Sequence, residues 1–406
     1  MASTIPILRA AGAATLTAAL LVACGGGDSN TGPDDEQPVI TISGVEDGGS
    51  YESPVTIDID VEPGSYTARL NGEFFLSGGT VTQPGAYTLV VTGRNGLATA
   101  QSEIDFTLVG GGTGDVLIVR ILDLRLGTVG APGDAILVTD SSSAGMTHAL
   151  IDAGARTIGT SEDQGYVRTR LSQLGVDTLR FMQLTHAHFD HYAGMDEILR
   201  SAIHVRSFVY NGQVRTASSY LALLDTANAR ADTVAALSQL RTLELGGGSV
   251  PTVVTMVPPL ETYLDTATND GAELNEGSIG TLIEHGGFRM YFTGDGELAA
   301  NTRWRLSYAA LTGGVDILKV GHHGANDATQ TEWLTHSSFE VAAISANGRT
   351  HPLNGALARI QQVSSVIYCT NVHGEIRITV DESGFYTVQV EKNAGAPCTA
   401  GSEATT

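Results

Sequence analysis

The densest chemistry in this 406-residue chain lies in the run Thr185-His186-Ala187-His188-Phe189-Asp190-His191. Three imidazoles and a carboxylate fall within six residues, directly after the apolar run 181–184. Neutral imidazole nitrogens and carboxylate oxygens are ligands for divalent transition metals. One loop cannot comfortably aim all four groups at a single ion. It can feed two adjacent ions, with His186 and His188 facing one and Asp190 and His191 facing the other. Paired ions of this kind make a nucleophile of water near neutral pH and stabilise charge on attacking and leaving oxygens. His148, His204, His285 and His336 stand singly and read as surface or packing residues.

Such a loop needs a strand that ends where it begins, and neighbours to support it. From Asp115 onward, segments 116–122, 135–139 and 149–151 are apolar and strand-like, and helical patterns follow at 165–174 and 218–240. Segments 179–184, 253–257, 281–284, 289–292, 317–320 and 341–344 read as further strands. Strands alternating with helices predict one α/β domain with substantial sheets over residues 115–392, followed by a C-terminal tail, 393–406. Residues 39–110 differ. Period-two segments at 39–42, 55–61, 66–70, 86–92 and 104–109 are separated by turn pairs such as Asn71-Gly72 and Asn95-Gly96. They predict a small antiparallel β-sandwich, with Gly110-Gly111-Gly112 as a hinge after it.

Composition bounds the partners. The formal net charge is −22, and Lys319 and Lys392 are the only lysines. A general nucleic-acid binder needs a basic surface, so strong general binding of DNA or RNA is not expected. Bound cations can still reverse the potential locally for an anionic substrate. The N-terminus reads as an address: one positive charge in residues 1–9, an alanine-rich apolar run over 10–23, then Leu21-Val22-Ala23-Cys24. This is similar to a bacterial lipobox, which makes residues 1–24 a lipoprotein signal peptide and Cys24 the lipid anchor. Gly25, where an aspartate would hold a lipoprotein back, favours the outer over the inner membrane, so the expected location is outer membrane, periplasm or cell surface. Residues 25–38 are rich in Gly, Asp and Pro and read as a flexible linker. The remaining cysteines, Cys369 and Cys398, flank the last strand-like segment; an even pair in an exported chain can form a disulfide, two unpaired thiols being the alternative. No apolar run after the N-terminus is long enough to span a bilayer.

The run from His186 to His191 after an apolar strand resembles the HxHxDH signature of the metallo-β-lactamase fold superfamily. Other pieces stand in that family's order. Leu150-Ile151-Asp152-Ala153-Gly154 resembles the strand end whose aspartate supports the metal loop. Residues 291–296 (YFTGDG) resemble the strand end whose aspartate, here Asp295, bridges both metals. Residues 318–324 (LKVGHHG) resemble the strand-plus-histidine element that completes the second site. Asn275 and Ser278 ahead of a strand, KVGHHG, and 344–352 with His351-Pro352 are similar to one subgroup. It is that of the hydrolase domain of the DNA-uptake competence channel protein, to which bacterial phosphorylcholine esterases are related in plan. Residues 368–390 resemble that subgroup's closing hairpin, and residues 39–110 resemble bacterial immunoglobulin-like modules, a spacer or adhesion unit of unknown partner.

The resemblance implies an α/β fold, the αββα metallo-β-lactamase sandwich, preceded by an all-β immunoglobulin-like sandwich. It implies one or two divalent ions, zinc by preference and manganese as the alternative, held by His186, His188, Asp190, His191, Asp295 and His323. Asp152, Asp134, Asn275 and Ser278 become supporting residues. Asp190, His322 and His351 become catalytic ones, with His323 favoured over His322 as ligand, His322 facing substrate, and His351 polarising an oxygen or protonating a leaving group. Two departures qualify this. The third histidine that many members carry before the bridging aspartate is replaced by Asn275, Glu276 and Ser278, which makes the first site poorer in nitrogen and widens the choice toward manganese. The subgroup's compact loop is expanded over residues 122–135 (LDLRLGTVGAPGDA), leaving Asp123 and Asp134 as its carboxylates. The expected reaction is metal-assisted hydrolysis of a small-molecule phosphoester or phosphodiester. Lactonase or other acyl hydrolase activity, an extracellular nuclease, and a non-enzymatic surface-binding lipoprotein are the alternatives.

Overall fold

A computed structural model of the chain describes residues 36–52, 55–81, 85–109, 114–124, 133–158, 161–265 and 272–402. The signal peptide with Cys24, most of the linker, the glycine hinge and residues 125–132 of the expanded loop lie outside the described residues. The chain divides into two compact units between Gly112 and Thr113.

The first unit is all β. Strands Val39–Ser43, Val55–Glu62 and Gly79–Val81 form one sheet; Gly49–Glu52, Ser65–Leu70, Glu73–Phe75, Gly85–Asn95 and Ala98–Val109 form the other. Period-two alternation decides the faces: in Val55–Glu62, Ile57, Ile59 and Val61 are buried while Thr56, Asp58 and Asp60 are exposed. Those three apolar residues join Leu89, Val91, Phe106 and Leu108 from the other sheet in one core. Three short strands, Gly49–Glu52, Glu73–Phe75 and Gly79–Val81, are absent from the sequence reading because each is too short to show a period.

The second unit is built on two mixed sheets. Across the first, the main order is Thr233–Ala236, Ser207–Tyr210, Thr178–Leu184, Gly145–Ala153, Ala135–Ser142, Val116–Ile121, Ile376–Val380 and Tyr386–Val390. The second runs Arg241–Leu245, Thr252–Val257, Gly280–His285, Phe288–Phe292, Ile317–Lys319, Val341–Ile344 and Val366–Cys369. Val119, Val138 and Phe181 of the first sheet share one core with Met256, Met290 and Ile317 of the second. On its other face the first sheet packs Leu137, Leu150 and Met182 against Val167 and Leu171 of helix Tyr166–Gln173 and Tyr220 and Leu223 of helix Ser218–Arg230. The second sheet buries Tyr291, Leu318 and Ala342 against Trp304 of helix Leu298–Ser307 and Trp333 of helix Thr331–Ser337. The layers are therefore helix, sheet, sheet, helix. Central strands buried on both faces read as continuous apolar runs rather than alternating ones, as in Val341–Ile344.

Two expectations need correction. The helix expected over 218–240 stops at Arg230, and Thr233–Ala236 becomes a strand parallel to Ser207–Tyr210. The chain there carries β-branched Thr233 and Val234, and pairing at a sheet edge wins over the helical period. The hairpin expected over 368–390 spans only Ile376–Val390. Tyr368 belongs to strand Val366–Cys369 of the opposite sheet, and the short helix Thr370–His373 carries the chain across.

Strand direction fixes where chemistry can gather. Gly145–Ala153 runs parallel to Thr178–Leu184, and Phe288–Phe292, Ile317–Lys319 and Val341–Ile344 run parallel to one another. Asp152, the metal loop, Asp295, His322-His323 and His351 all stand at or just after the carboxyl ends of these strands, the customary place for ligands in α/β folds. No helix among the described residues is long and apolar enough to cross a membrane.

Candidate metal centre

Strand Thr178–Leu184 delivers Thr185 and His186 into the interior, both fully buried, before the short helix Phe189–Tyr192 turns the loop back. Asp152 sets the loop's shape. Its carboxylate accepts from the Thr185 amide (2.8 Å) and hydroxyl (2.7 Å), and its Oδ2 lies 2.7 Å from His191 Nδ1. With Nδ1 so engaged, Nε2 of His191 is left for the centre. Asp152 does this from a left-handed backbone conformation, φ 57°, as do His322 (43°) and His323 (56°). Strain of this kind, ~1–3 kcal/mol per residue, persists only where surrounding structure imposes it, and here all three positions aim side chains into the site.

Asp190, His191, Asp295 and His323 bring their ligand atoms within 4.8 Å of one another. Asp295 Oδ2 is 3.1 Å from His191 Nε2, 3.2 Å from His323 Nε2 and 3.9 Å from His186 Nε2. His188 Nδ1 is 3.0 Å from His186 Nε2, so the His186–His188 pair abuts the four-residue group on the side of Asp295. His323 is buried, whereas the side chain of His322 is a quarter exposed, at 25%.

Electrostatics in the cluster couple carboxylates and imidazoles tightly. Burial alone would raise the Asp295 carboxyl, but His191 and His323 hold it well below the usual carboxylate range. Burial likewise disfavours charge on His191, yet Asp295, Asp152 and Asp190 outweigh it and push the imidazole well above its ordinary value. His186, under burial and the neighbouring His191, is driven well below and stays neutral, the form that ligates metal. Oδ1 of Asp295 and Nδ1 of His323 are buried without hydrogen-bond partners. A set of buried imidazoles and carboxylates with unsatisfied atoms fits one or two divalent cations.

The flanking residues are placed as follows. Asp134 forms a buried group with Asp152 and His191 and meets Lys319 Nζ at 2.9 Å. The Ser278 hydroxyl accepts from the Asp295 amide at 3.2 Å. Asn275 directs its amide nitrogen to Glu297 Oε1 (2.7 Å) and lies 3.5 Å from His322 Nε2, so it stands with His322. His322 Nδ1 sits 3.1 Å from Glu297 and 3.2 Å from Asp327; burial opposes its charge, but those two carboxylates hold its pKa up at about 10. The His351 ring centre is 5.7 Å from that of His322 and 6.1 Å from that of His323. Burial, then His323 and His322, lower its pKa to about 4, which makes it a neutral hydrogen-bonding group.

Sequence reasoning missed Glu297, Asp327, Lys319 as a site residue, and Gln213. Glu297 follows Asp295 by two positions and Lys319 interrupts an apolar strand, which were the available signals. Gln213 had none: its Oε1 accepts from the Ala187 amide (2.8 Å) while its Nε2 donates to the Leu274 carbonyl (2.8 Å), linking the metal loop to the segment carrying Asn275.

The motif glycine Gly154 has a steric explanation. A Cβ there would lie 2.0 Å from the backbone oxygen of Asp190. Gly154→Ala should therefore displace the Asp190 backbone and weaken metal binding by at least ~10-fold, the range seen for loss of an outer-sphere support. Competition with a chromophoric chelator measures this, and an unchanged affinity would refute the steric account.

No family model matches the chain. Recombination protein 2 of Haemophilus influenzae is 32% identical over 108 residues, which are 26% of this chain and 13% of that protein. ComE operon protein 3 of Bacillus subtilis is 31% identical over 111 residues, 27% of this chain and 14% of that protein. The matched stretches are thus a small part of either relative's length. Among solved structures, a CmlA beta-hydroxylase variant is similar with a TM-score of 0.38 at 15% identity, covering 65% of this chain and 53% of that one. Zn(2+)-bound PqqB from Methylobacterium extorquens follows at 0.35 and 13%, covering 62% of this chain and 97% of that one.

Proposed function

We propose that residues 115–392 are a metallo-β-lactamase fold hydrolase that cleaves phosphoester or phosphodiester bonds with one or two divalent cations, zinc or manganese. The observation that carries this reading is the convergence of Asp190 and His191 from one sheet with Asp295 and His323 from the other. The helix–sheet–sheet–helix layering and the order of the motifs support the fold assignment. The likeness of Asn275, Ser278, KVGHHG and 344–352 to the competence-protein subgroup supports the substrate class.

His186 and His188 with Asp295 would hold one cation, and Asp190, His191, Asp295 and His323 the other. Bound there, the cations supply Lewis acidity and a nucleophile drawn from water at neutral pH. The chain's own residues orient the rest. Asp152 keeps His191 in the tautomer and orientation that ligation needs. His322, held charged between Glu297 and Asp327, donates to a phosphoryl oxygen and offsets its growing negative charge. Thr350 engages Nδ1 of His351 at 3.0 Å, which leaves Nε2 to hydrogen-bond the leaving-group oxygen.

The same reading takes residues 1–24 as a lipoprotein signal with Cys24 as anchor, 25–38 as linker and 39–110 as an immunoglobulin-like module on an exported, membrane-tethered protein. The bond between Cys369 and Cys398 is in keeping with an oxidising compartment. The test is metal analysis of the soluble form beginning after Cys24, coupled to hydrolysis of a bis-aryl phosphate with added zinc or manganese. Bound metal and chelator-sensitive hydrolysis are expected. Full metal occupancy without phosphodiester cleavage would retire the substrate class, and a panel of chromogenic esters and lactones would then test acyl hydrolysis.

A further inference from the structure

His351 reaches the centre on a loop after strand Val341–Ile344, and that loop is tied from three directions. Within it, Asn347 Oδ1 accepts from the amides of Arg349 (2.9 Å), Thr350 (2.9 Å) and His351 (3.1 Å). The Leu353 amide donates to the carbonyl of Gly324, in the turn that carries His322 and His323, at 2.9 Å. The third tie is the C-terminal tail. The Gly401 amide donates to the Pro352 carbonyl (2.9 Å) and the Ser402 amide to the Gly348 carbonyl (3.0 Å), so two tail bonds bracket Arg349, Thr350 and His351. Gly401 is buried, and a Cβ added there would lie 2.4 Å from the Arg349 carbonyl oxygen. Backbone meets backbone at this point.

Residues 393–402 form no helix or strand, so they keep their place only where something fastens them. The fastening is the disulfide between Cys369, at the end of strand Val366–Cys369, and Cys398. Only Thr399 and Ala400 lie between Cys398 and Gly401. Three residue steps span at most ~11 Å, so the bond confines Gly401 to the neighbourhood of the loop. His373 Nε2, 3.0 Å from the Ala396 carbonyl, and Asn371 Nδ2, donating to the Thr399 carbonyl at 3.4 Å, hold the tail on either side of Cys398.

We infer that the disulfide-fastened tail is a positioning element for His351, setting the group that meets the leaving-group side of the substrate. Its kinetic consequence rests on the hydrolase reading; its mechanical consequence does not. The tail touches the loop of His351 through backbone bonds, so the effect is on placement and not on metal binding.

Two variants of the full chain test this. Cys398→Ser removes the fastening, and Gly401→Ala keeps the disulfide but wedges the tail off Arg349. Hydrogen exchange at the amides of 348–351 and 353 should quicken at least ~10-fold in both, while exchange in 185–191 and metal content stay unchanged. With a bis-aryl phosphate, kcat should fall roughly 10-fold, within the range a misplaced catalytic group produces, with KM nearly constant. In a His351→Ala background neither variant should lower kcat further, because the group being positioned is gone. Unchanged exchange at 348–351 and 353, a fall in metal content, or an equal loss of kcat in the His351→Ala background would each overturn the inference. If the unaltered chain binds metal but cleaves no phosphodiester, the hydrolase reading fails on its own, and the exchange experiment alone decides the tether.

Discussion

Replacing Asp295 with asparagine should lower kcat/KM by about 10³-fold and strip the centre of at least one cation. Asp295 stands where both halves of the cluster meet, within 3.1 to 3.9 Å of nitrogens on His191, His323 and His186. Asparagine nearly preserves its volume and leaves an oxygen, so the change isolates the charge. Removing that charge takes one anion from a buried site that carries Asp190 as its other direct carboxylate. Metal ions supply several kcal/mol of transition-state stabilisation, and ~4 kcal/mol corresponds to about 10³ in rate. Metal content by mass spectrometry and hydrolysis of a bis-aryl phosphate are measured on the same preparation. An Asp295→Asn variant that keeps its metal and most of its activity would remove Asp295 from the centre and leave the bridging role without support.

How much of this was legible in advance follows from how local each feature is. His186, His188, Asp190 and His191 stood out because four ligand-type side chains fall in one short loop after an apolar strand. Asp295 and His323 are more than 100 residues away in sequence, and only their likeness to a family pattern pointed to them. Glu297, Asp327 and Gln213 act through contacts that only the fold creates: Glu297 is a partner of His322 because two separate strand ends converge there. The same distinction holds for the elements. Strand Val341–Ile344 is apolar throughout and Thr178–Leu184 is built around Leu179, Phe181, Met182 and Leu184, and both were legible to within a residue. The end of helix Ser218–Arg230 was not, because neither a glycine nor a proline follows it and the strand that replaces the helix is set by pairing with Ser207–Tyr210.

The second large effect concerns stability and comes from Lys319. This lysine is fully buried in strand Ile317–Lys319 of one sheet, and its ammonium lies 2.9 Å from Asp134, which leads into strand Ala135–Ser142 of the other. Burial pushes the Asp134 carboxyl up, but Lys319, with His323 and His191 behind it, holds it below its ordinary value, so the aspartate is ionised. The pair therefore fastens the two sheets directly beneath the metal centre, where Asp134 also groups with Asp152 and His191. Lys319→Met fills similar space but takes from a buried carboxylate the cation that pairs with it directly. Breaking one partner of such a pair costs about 3–5 kcal/mol, whereas replacing both with neutral groups costs far less, because no uncompensated charge remains. Lys319→Met should thus lower the unfolding midpoint of this unit by roughly 10 °C, and Asp134→Asn should do likewise by stranding the lysine. The double variant should recover a substantial part of the combined loss, since the two sites are in contact and their effects cannot add. Chemical denaturation of the three variants reads this directly. Single variants that lose less than about 1 kcal/mol, or a double variant whose loss equals their sum, would show that solvent or other side chains compensate each charge and that the pair does not fasten the sheets.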